Sequence, residues 1–363
     1  MRMKANIKMI RNMVVFIALV IFTFWFVFKD QDMNELFNSI KSANILYLSL
    51  GALLMLGYFL IESYNIRSML IAFGDKKIPV FKALKFTLIG FFFSSITPAA
   101  TGGQPVEIYY MTKEGISGAK ATMTSLVVLC SFQISTISYG IICSIINPSL
   151  LSGGIVWVFL LGLLINGTAL AFLLICIFSE KLTRKLVNLA IIIMEKMKLK
   201  NIEKRREEIN KELKKYNESA KYIKAHMGAF IKAILRGFVQ IGLYYSVPFC
   251  VYKALGLSSY NYFQIFVMQA VLYNSVSGLP LPGAVGVSET IFLKIFRPAF
   301  GAKLISASML LSRTVTFYLY VIISLVVVII NAVKMKDVKG EIDRKVIKIE
   351  KDYEVNNKNL VAT

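Results

Sequence analysis

Six apolar runs constrain this chain more than any other feature, at about 13–28, 44–61, 119–147, 155–178, 229–253 and 304–333. Crossing the roughly 30 Å hydrocarbon core takes about 20 residues of helix, so all but the short first run reach that length unaided. Inside lipid an unsatisfied peptide group costs several kcal/mol, which makes each run a helix with its bonds closed internally. Over 363 residues the chain is 56% hydrophobic, with mean hydropathy +0.63, and a soluble domain is excluded. Basic residues precede the run Met13 to Phe28, but Lys29 and Asp30 follow where a cleavable leader has small residues, so this reads as a retained span.

Two further segments, about 83–118 and 261–300, are apolar in their first half and then break. The first breaks at Thr97-Pro98-Ala99-Ala100-Thr101-Gly102-Gly103-Gln104-Pro105-Val106-Glu107. The second breaks at Gly278-Leu279-Pro280-Leu281-Pro282-Gly283-Ala284-Val285-Gly286-Val287-Ser288-Glu289. Prolines and glycines at this density end helices, and irregular backbone at membrane depth survives only when sheltered by protein or beside a water-filled cavity.

The net charge of +21 decides how these segments run, because basic connections stay on the cytoplasmic side. Residues 1–12 carry four basic residues and no acidic one, 62–85 five against two, and 180–232 fifteen against seven. Lys334 and Lys336 directly follow the last run. Keeping all four connections inside makes 83–118 a hairpin dipping from the cytoplasm and 261–300 one dipping from outside. Lys294, Arg297 and Lys303 then lie on the outer side, against the charge rule.

The expected fold is thus an all-α polytopic membrane protein of about six full transmembrane helices and two oppositely oriented re-entrant hairpins, eight hydropathy segments in an inverted-repeat-like arrangement. Residues 1–178 form a first membrane half, 179–228 a basic amphipathic cytoplasmic linker with Ile202, Ile209, Leu213 and Tyr216 at helical spacing, 229–333 a second half, and 334–363 a mobile cytoplasmic tail. Both termini are cytoplasmic. Setting Pro98 on Pro280 aligns Ser95 with Ser277 and Glu107 with Glu289.

The broken segments also carry the chemistry. Pro105 suits the first turn of a new helix that Gly115 could close, and Ser288 is a candidate N-cap for a helix running to about Phe296. Two half-helix N-termini would face the interior, able to hold an anion such as a lipid phosphate. Glu107 and Glu289 either complement those dipoles or meet an amine or coupling cation in a polar cavity.

Arg313 lies about 14 Å into the last run and must pair with a carboxylate, with carbonyls or with a substrate phosphate. Arg236 could do the same or snorkel to the cytoplasm. Glu62 and Arg67 read as interface residues at the end of their run, and Gln133, Gln240 and Gln269 as weaker lining candidates. Cys130, Cys143, Cys176, Cys250 and His226 lack the spacing of a metal, redox or catalytic site, so neither a metal nor a cofactor is expected. No G-x-x-x-x-G-K-[ST] loop signals ATP. The basic linker needs no nucleic acid to explain it; anionic headgroups suffice.

The paired breaks resemble the two signatures of the lysylphosphatidylglycerol synthase transmembrane region, the flippase-like domain of the multiple peptide resistance factor family. The first, P-x-x-x-G-G-x-P-x-E/R, is matched by Pro98, Gly102, Gly103, Pro105 and Glu107. The second, P-x-P-G-G-x-G-x-x-E, is matched by Pro280, Pro282, Gly283, Gly286 and Glu289, with Ala284 where a second glycine is common.

The resemblance covers roughly residues 10–335. It implies a plasma-membrane protein of bacterial type that translocates or handles a phospholipid, aminoacylated phosphatidylglycerol or a relative, with those motif residues in the substrate-binding set, to which the residue reading above adds Ser288, Arg313 and Arg236. Full-length synthases add a soluble domain that joins lysine from charged tRNA to phosphatidylglycerol, giving resistance to cationic antimicrobial peptides. This sequence ends about 30 residues after its last run, so the expectation is that lysyl transfer belongs to a separate synthase partner. The alternatives are that the chain is itself a phosphatidylglycerol lysyltransferase, or a non-transporting scaffold for one.

Overall fold

The structure is a computed structural model that describes residues 33–74, 78–97, 100–196, 202–278 and 287–332. Among these residues every regular element is helical. The run at 13–28 and the tail at 334–363, expected as a first span and a mobile segment, lie outside the described residues.

Helix α1 (Met33–Lys41) leads into α2 (Ile45–Ala72), whose start is set by Asn44: its side chain accepts from the Leu46 N–H at 2.9 Å. There follow α3 (Val80–Ser95), α4 (Gly103–Lys113), α5 (Gly118–Ile146), a 3-10 turn (Pro148–Leu151) and α6 (Ile155–Phe178). Helices α7 (Glu180–Lys196) and α8 (Ile202–Ala225) precede α9 (Met227–Ala254), α10 (Tyr262–Val276) and α11 (Val287–Arg313). A capping box between Asn261 and Gln264 starts α10. Gly301, at φ 69°, breaks α11, and a π-turn at Thr314–Tyr318 follows Arg313 before the helix runs on to Ala332.

Five helices are long and apolar enough to cross a bilayer: α2, α5, α6, α9 and the interrupted Val287–Ala332 helix. Leu53, Leu56, Trp157, Leu161, Leu164, Ile322 and Ile329 are exposed on them, faces that suit contact with lipid. The protein is an all-α polytopic membrane protein.

Small residues set the packing, as expected where lipid gives no hydrophobic drive between helices. Asn44 N–H donates to the Ala254 carbonyl at 2.8 Å, and Asn65 Nδ2 to the Ala233 carbonyl at 3.3 Å, so α2 and α9 run antiparallel along their length. A Cβ on Gly237 would lie 2.8 Å from the Ser131 carbonyl, which brings α9 against α5. Asn274 of α10 donates to the Thr136 carbonyl of α5 at 3.0 Å, and its own carbonyl occupies the space that a side chain at Gly162 of α6 would need.

These contacts give the bundle two ends. Asn44, Ala254 and the Tyr252–Phe300 ring pair mark one. At the other, Tyr216 donates to the Cys176 carbonyl at 2.7 Å, Glu212 of α8 accepts from Ala119 N–H at 2.8 Å, and Phe73 meets Tyr222. Helix α8 thus docks its apolar residues Tyr216, Ala220 and Ile223 on the ends of α5 and α6.

The run at 44–61 continues as helix to Ala72, past Glu62 and Arg67; Glu62 accepts from Gln240 at 2.9 Å, and Arg67 Nε donates to the Ile78 carbonyl at 2.9 Å. Ser288 is the second residue of α11, not its cap. That helix also passes Phe296 and breaks only at Gly301, since the Pro298 ring is tolerated within it.

Lys82 and Lys85 of α3 hold Glu114, at the end of α4, with Nζ–carboxylate distances of 2.7 and 2.5 Å. Burial pushes this carboxyl up, but hydrogen bonds and charge from the two lysines outweigh it and leave it below the ordinary value of 4.5. A depressed folded-state value means the tie is complete above pH 4.5 and is lost as the pH falls through the folded value. Between about pH 5 and 3, wild type should lose more thermal stability in detergent than Glu114→Gln; equal losses would show that the tie contributes nothing.

Candidate functional site

The first break is shaped by close approach. A Cβ on Gly103 would lie 2.8 Å from the Gly90 carbonyl and overlap Ser94, and one on Gly102 would lie 2.6 Å from the Thr97 methyl. Only glycine lets α4 fold back this tightly on α3. Thr97 mends the backbone across the gap: its hydroxyl donates to the Phe93 carbonyl at 2.7 Å and accepts from Gly102 N–H at 2.9 Å. Ala100 takes a left-handed conformation, φ 54°. Pro105 falls in the first turn of α4, where its missing N–H is harmless.

This packing sets Glu107 against Gly90, and the carboxylate is 7% exposed. Its Oε1 has no hydrogen-bond partner among the described residues.

At the second break α11 begins with Val287, Ser288 and Glu289. Glu289, 2% exposed, accepts from Arg313 Nε at 2.7 Å and from the Ser288 hydroxyl at 2.8 Å. Arg313 Nη2 also donates to Ser288, and its guanidinium lies 5.3 Å from the Phe317 ring centre. The arginine and its carboxylate thus belong to two helical stretches separated by the Gly301 break. The π-turn starts immediately after Arg313, the kind of local widening that often marks a functional position.

Between the two breaks lies a cavity of about 270 Å³. Ser94, Ser95 and Ala100 line it from the first break, and Ser277, Ser288, Glu289 and Arg313 from the second. Tyr58, Tyr244, Tyr273 and Gln269 add polar edges, while Phe91, Phe292, Phe317, Leu272 and Met309 make the rest of the wall apolar. Its volume is at the small end of ligand pockets, roughly 300–1,000 Å³. That suits a headgroup rather than a whole lipid.

The structure therefore brings together Ser288, Glu289 and Arg313, with the Gly102-Gly103 turn behind the opposite wall. Glu107 sits beside that turn and does not line the cavity. Arg236 is elsewhere: it donates to Asn65 Oδ1 at 3.2 Å and stacks 4.8 Å from the Tyr64 ring centre. Pro98, Pro280, Pro282, Gly283 and Gly286 fall outside the described residues. Among the described residues no three His, Cys, Asp or Glu side chains gather as a metal site would.

Glu62 and the three cavity tyrosines are what sequence reasoning missed. A signal existed for Glu62, since Ile66, Met69, Leu70 and Phe73 continue the apolar stripe of α2 past it at helical spacing.

Residues 13–324 match the model of a protein family described as the lysylphosphatidylglycerol synthase TM region. A "UPF0104 membrane protein" of Archaeoglobus fulgidus is 23% identical over 321 residues, 87% of this chain and 96% of that protein.

Removing one partner of a buried ion pair strands the other. Arg313→Ala should destabilise the folded protein in detergent by about 3–5 kcal/mol, read from denaturant unfolding. A cost under about 1 kcal/mol, as for an exposed pair, would mean that Glu289 is not enclosed.

Proposed function

The chain belongs to the lysylphosphatidylglycerol synthase transmembrane-region family, and from that premise we propose that it moves a phospholipid between leaflets by admitting its headgroup to the cavity between the two broken segments. The observation that carries this reading is the shared wall. One cavity is bordered by Ser94, Ser95 and Ala100 on one side and by Ser277, Ser288, Glu289 and Arg313 on the other.

A headgroup carrying both charges fits that wall. Its phosphate would meet Arg313 and the N-terminal turn of α11, where backbone N–H groups and the dipole favour an anion. An ammonium on the same headgroup would meet Glu289. Aminoacylated phosphatidylglycerol has both groups and is the first lipid to test, with a separate aminoacyl-lipid synthase as the partner that makes it. Acyl tails would stay in the bilayer, since the cavity holds no more than a headgroup.

In this reading 83–118 and 261–300 are re-entrant hairpins from opposite faces, related as the inverted halves 1–178 and 229–333. The span at 13–28 completes six crossings, and residues 179–228 link the halves at the cytoplasmic face. The plasma membrane is the site of action, with both termini in the cytoplasm. Exposure would alternate by rocking one half against the other around the sheltered breaks.

Two measurements test the reading. In vesicles of phosphatidylcholine and phosphatidylglycerol, the purified protein should speed transbilayer movement of fluorescently labelled phosphatidylglycerol or its lysyl derivative several-fold over protein-free vesicles, and Glu289→Gln should remove most of the gain. If wild type moves neither lipid, the transport reading fails. Topology is checked by Lys113→Cys and Lys294→Cys, both exposed positions. An impermeant thiol reagent added to intact cells should label the cysteine at 294 and spare the one at 113; labelling of both or of neither would overturn the opposed hairpins.

A further inference from the structure

A second polar cluster lies behind the cavity wall. Glu62 is 17 residues into the 28-residue helix α2, about 25 Å from its start and about 15 Å from its end at 1.5 Å per residue. Glu107 is in the second turn of α4, held against Gly90 of α3. The hydroxyls of Ser63 and Thr87, 3.1 Å apart, join α2 to α3 at this level. Thr87 and Gly90 are one turn apart on α3, so Glu62, beside Ser63, and Glu107 flank the same stretch of that helix.

The groups around them carry no compensating charge. Glu62 accepts from Gln240 of α9 at 2.9 Å and has Tyr58 of its own helix and Tyr273 of α10 as titratable neighbours. Glu107 has Glu62 as its charged neighbour, and no Lys, Arg or His among the described residues pairs with either carboxylate. Arg236, one turn from Gln240, is committed to Asn65 and Tyr64. Oε1 of Glu107, in a side chain 7% exposed, has no donor.

Two carboxylates flanking one helix without a cation cannot both be ionised cheaply in such surroundings, and one proton relieves the repulsion. Glu62 is the partly exposed member of the pair and Glu107 the enclosed one.

We propose that Glu62 and Glu107 together hold one exchangeable proton, forming a proton-binding site that stands behind the wall of the lipid cavity and couples to its occupancy. The wall is shared: Tyr58 lines the cavity and borders Glu62 and Gln240, and Phe91, next to Gly90, lines it above Glu107. The proton arrives from water and returns to water, and no other bond changes. A headgroup that displaces Tyr58 or Phe91 alters the space in which the pair can be charged. That exchange is the means by which a proton gradient would drive lipid movement. The coupling rests on the lipid-moving function proposed above; the proton site does not.

The experiment has two arms. Infrared difference spectra of the full-length protein in detergent should show a carboxylic-acid carbonyl band that persists above about pH 6, where exposed carboxylates are ionised. It should disappear at higher pH, be lost in both Glu62→Gln and Glu107→Gln, and survive in Glu114→Gln. Each variant is checked for a monodisperse elution profile, and wild type alone decides the matter if a variant does not fold. Absence of the band in wild type at pH 6 overturns the proposal. So does a band abolished by sodium chloride at constant pH, which would assign the site to sodium.

In the second arm, an imposed pH gradient across vesicles should change the rate of labelled-lipid movement several-fold in wild type and leave the rate unchanged in Glu107→Gln. If wild type moves no lipid while the band is present, the transport reading fails and the proton site stands. If lipid moves with no response to the gradient, transport stands and the coupling is refuted.

Discussion

Everything in this structure depends on giving broken backbone somewhere to hide. A helix that stops at membrane depth leaves up to four N–H or C=O groups without partners at each end, and lipid cannot supply them. At the first break the debt is met locally: Thr97 bridges Phe93 and Gly102, and Ser95 returns its hydroxyl to Phe91 at 2.8 Å. Gly103 has no side chain to hold α3 and α4 apart. The result is a tight pair of half-helices that can sit inside a bundle instead of facing hydrocarbon.

Sheltering the breaks has a second effect. Helix ends buried in protein create the polar interior that long apolar helices cannot, and charged side chains then survive there. Glu289 shares Ser288 and Arg313 within one hydrogen-bonded group that ties the start of α11 to its end across the Gly301 break. Glu62 makes the same accommodation with a neutral partner, Gln240. The cavity lies between the two breaks, and Phe91, Phe292 and Phe317 are among the aromatic residues of its wall.

Much of this was readable from residue order. Helix starts and stops follow local chemistry, so Pro105 falls in the first turn of α4 and Gly115 just after its end, at φ 87°. Apolar length marked α5, α6 and α9 to within a few residues, because lipid imposes that length whatever the packing. What could not be read depended on neighbours distant in sequence. The end of α2 was misjudged because Glu62 and Arg67 look like an interface until Gln240 and the Ile78 carbonyl come into place beside them. Tyr58, Tyr244 and Tyr273 are ordinary core aromatics in sequence and become cavity edges only when α2, α9 and α10 converge. Arg236 and Arg313 look alike in sequence; the helices they face send one to Asn65 and the other to Glu289.

The two breaks are similar in sequence and opposite in electrostatics. The offset that sets Pro98 on Pro280 is 280 − 98 = 182 residues, and carried forward without gaps it sets Ser131 on Arg313. Ser131 is fully buried and gives its hydroxyl to the Val128 carbonyl of its own helix at 2.7 Å. Its contacts are with its own helix and with Gly237 of α9. Glu289 is neutralised by a fixed cation, whereas Oε1 of Glu107 has no hydrogen-bond partner among the described residues. A symmetrical pair of arginines would lock both half-helices in place by ion pairs costly to break. Arginine pairs with Glu289 alone, and in the proton site proposed above Glu107 is the carboxylate whose charge changes, an asymmetry by which something small could bias a two-state membrane protein.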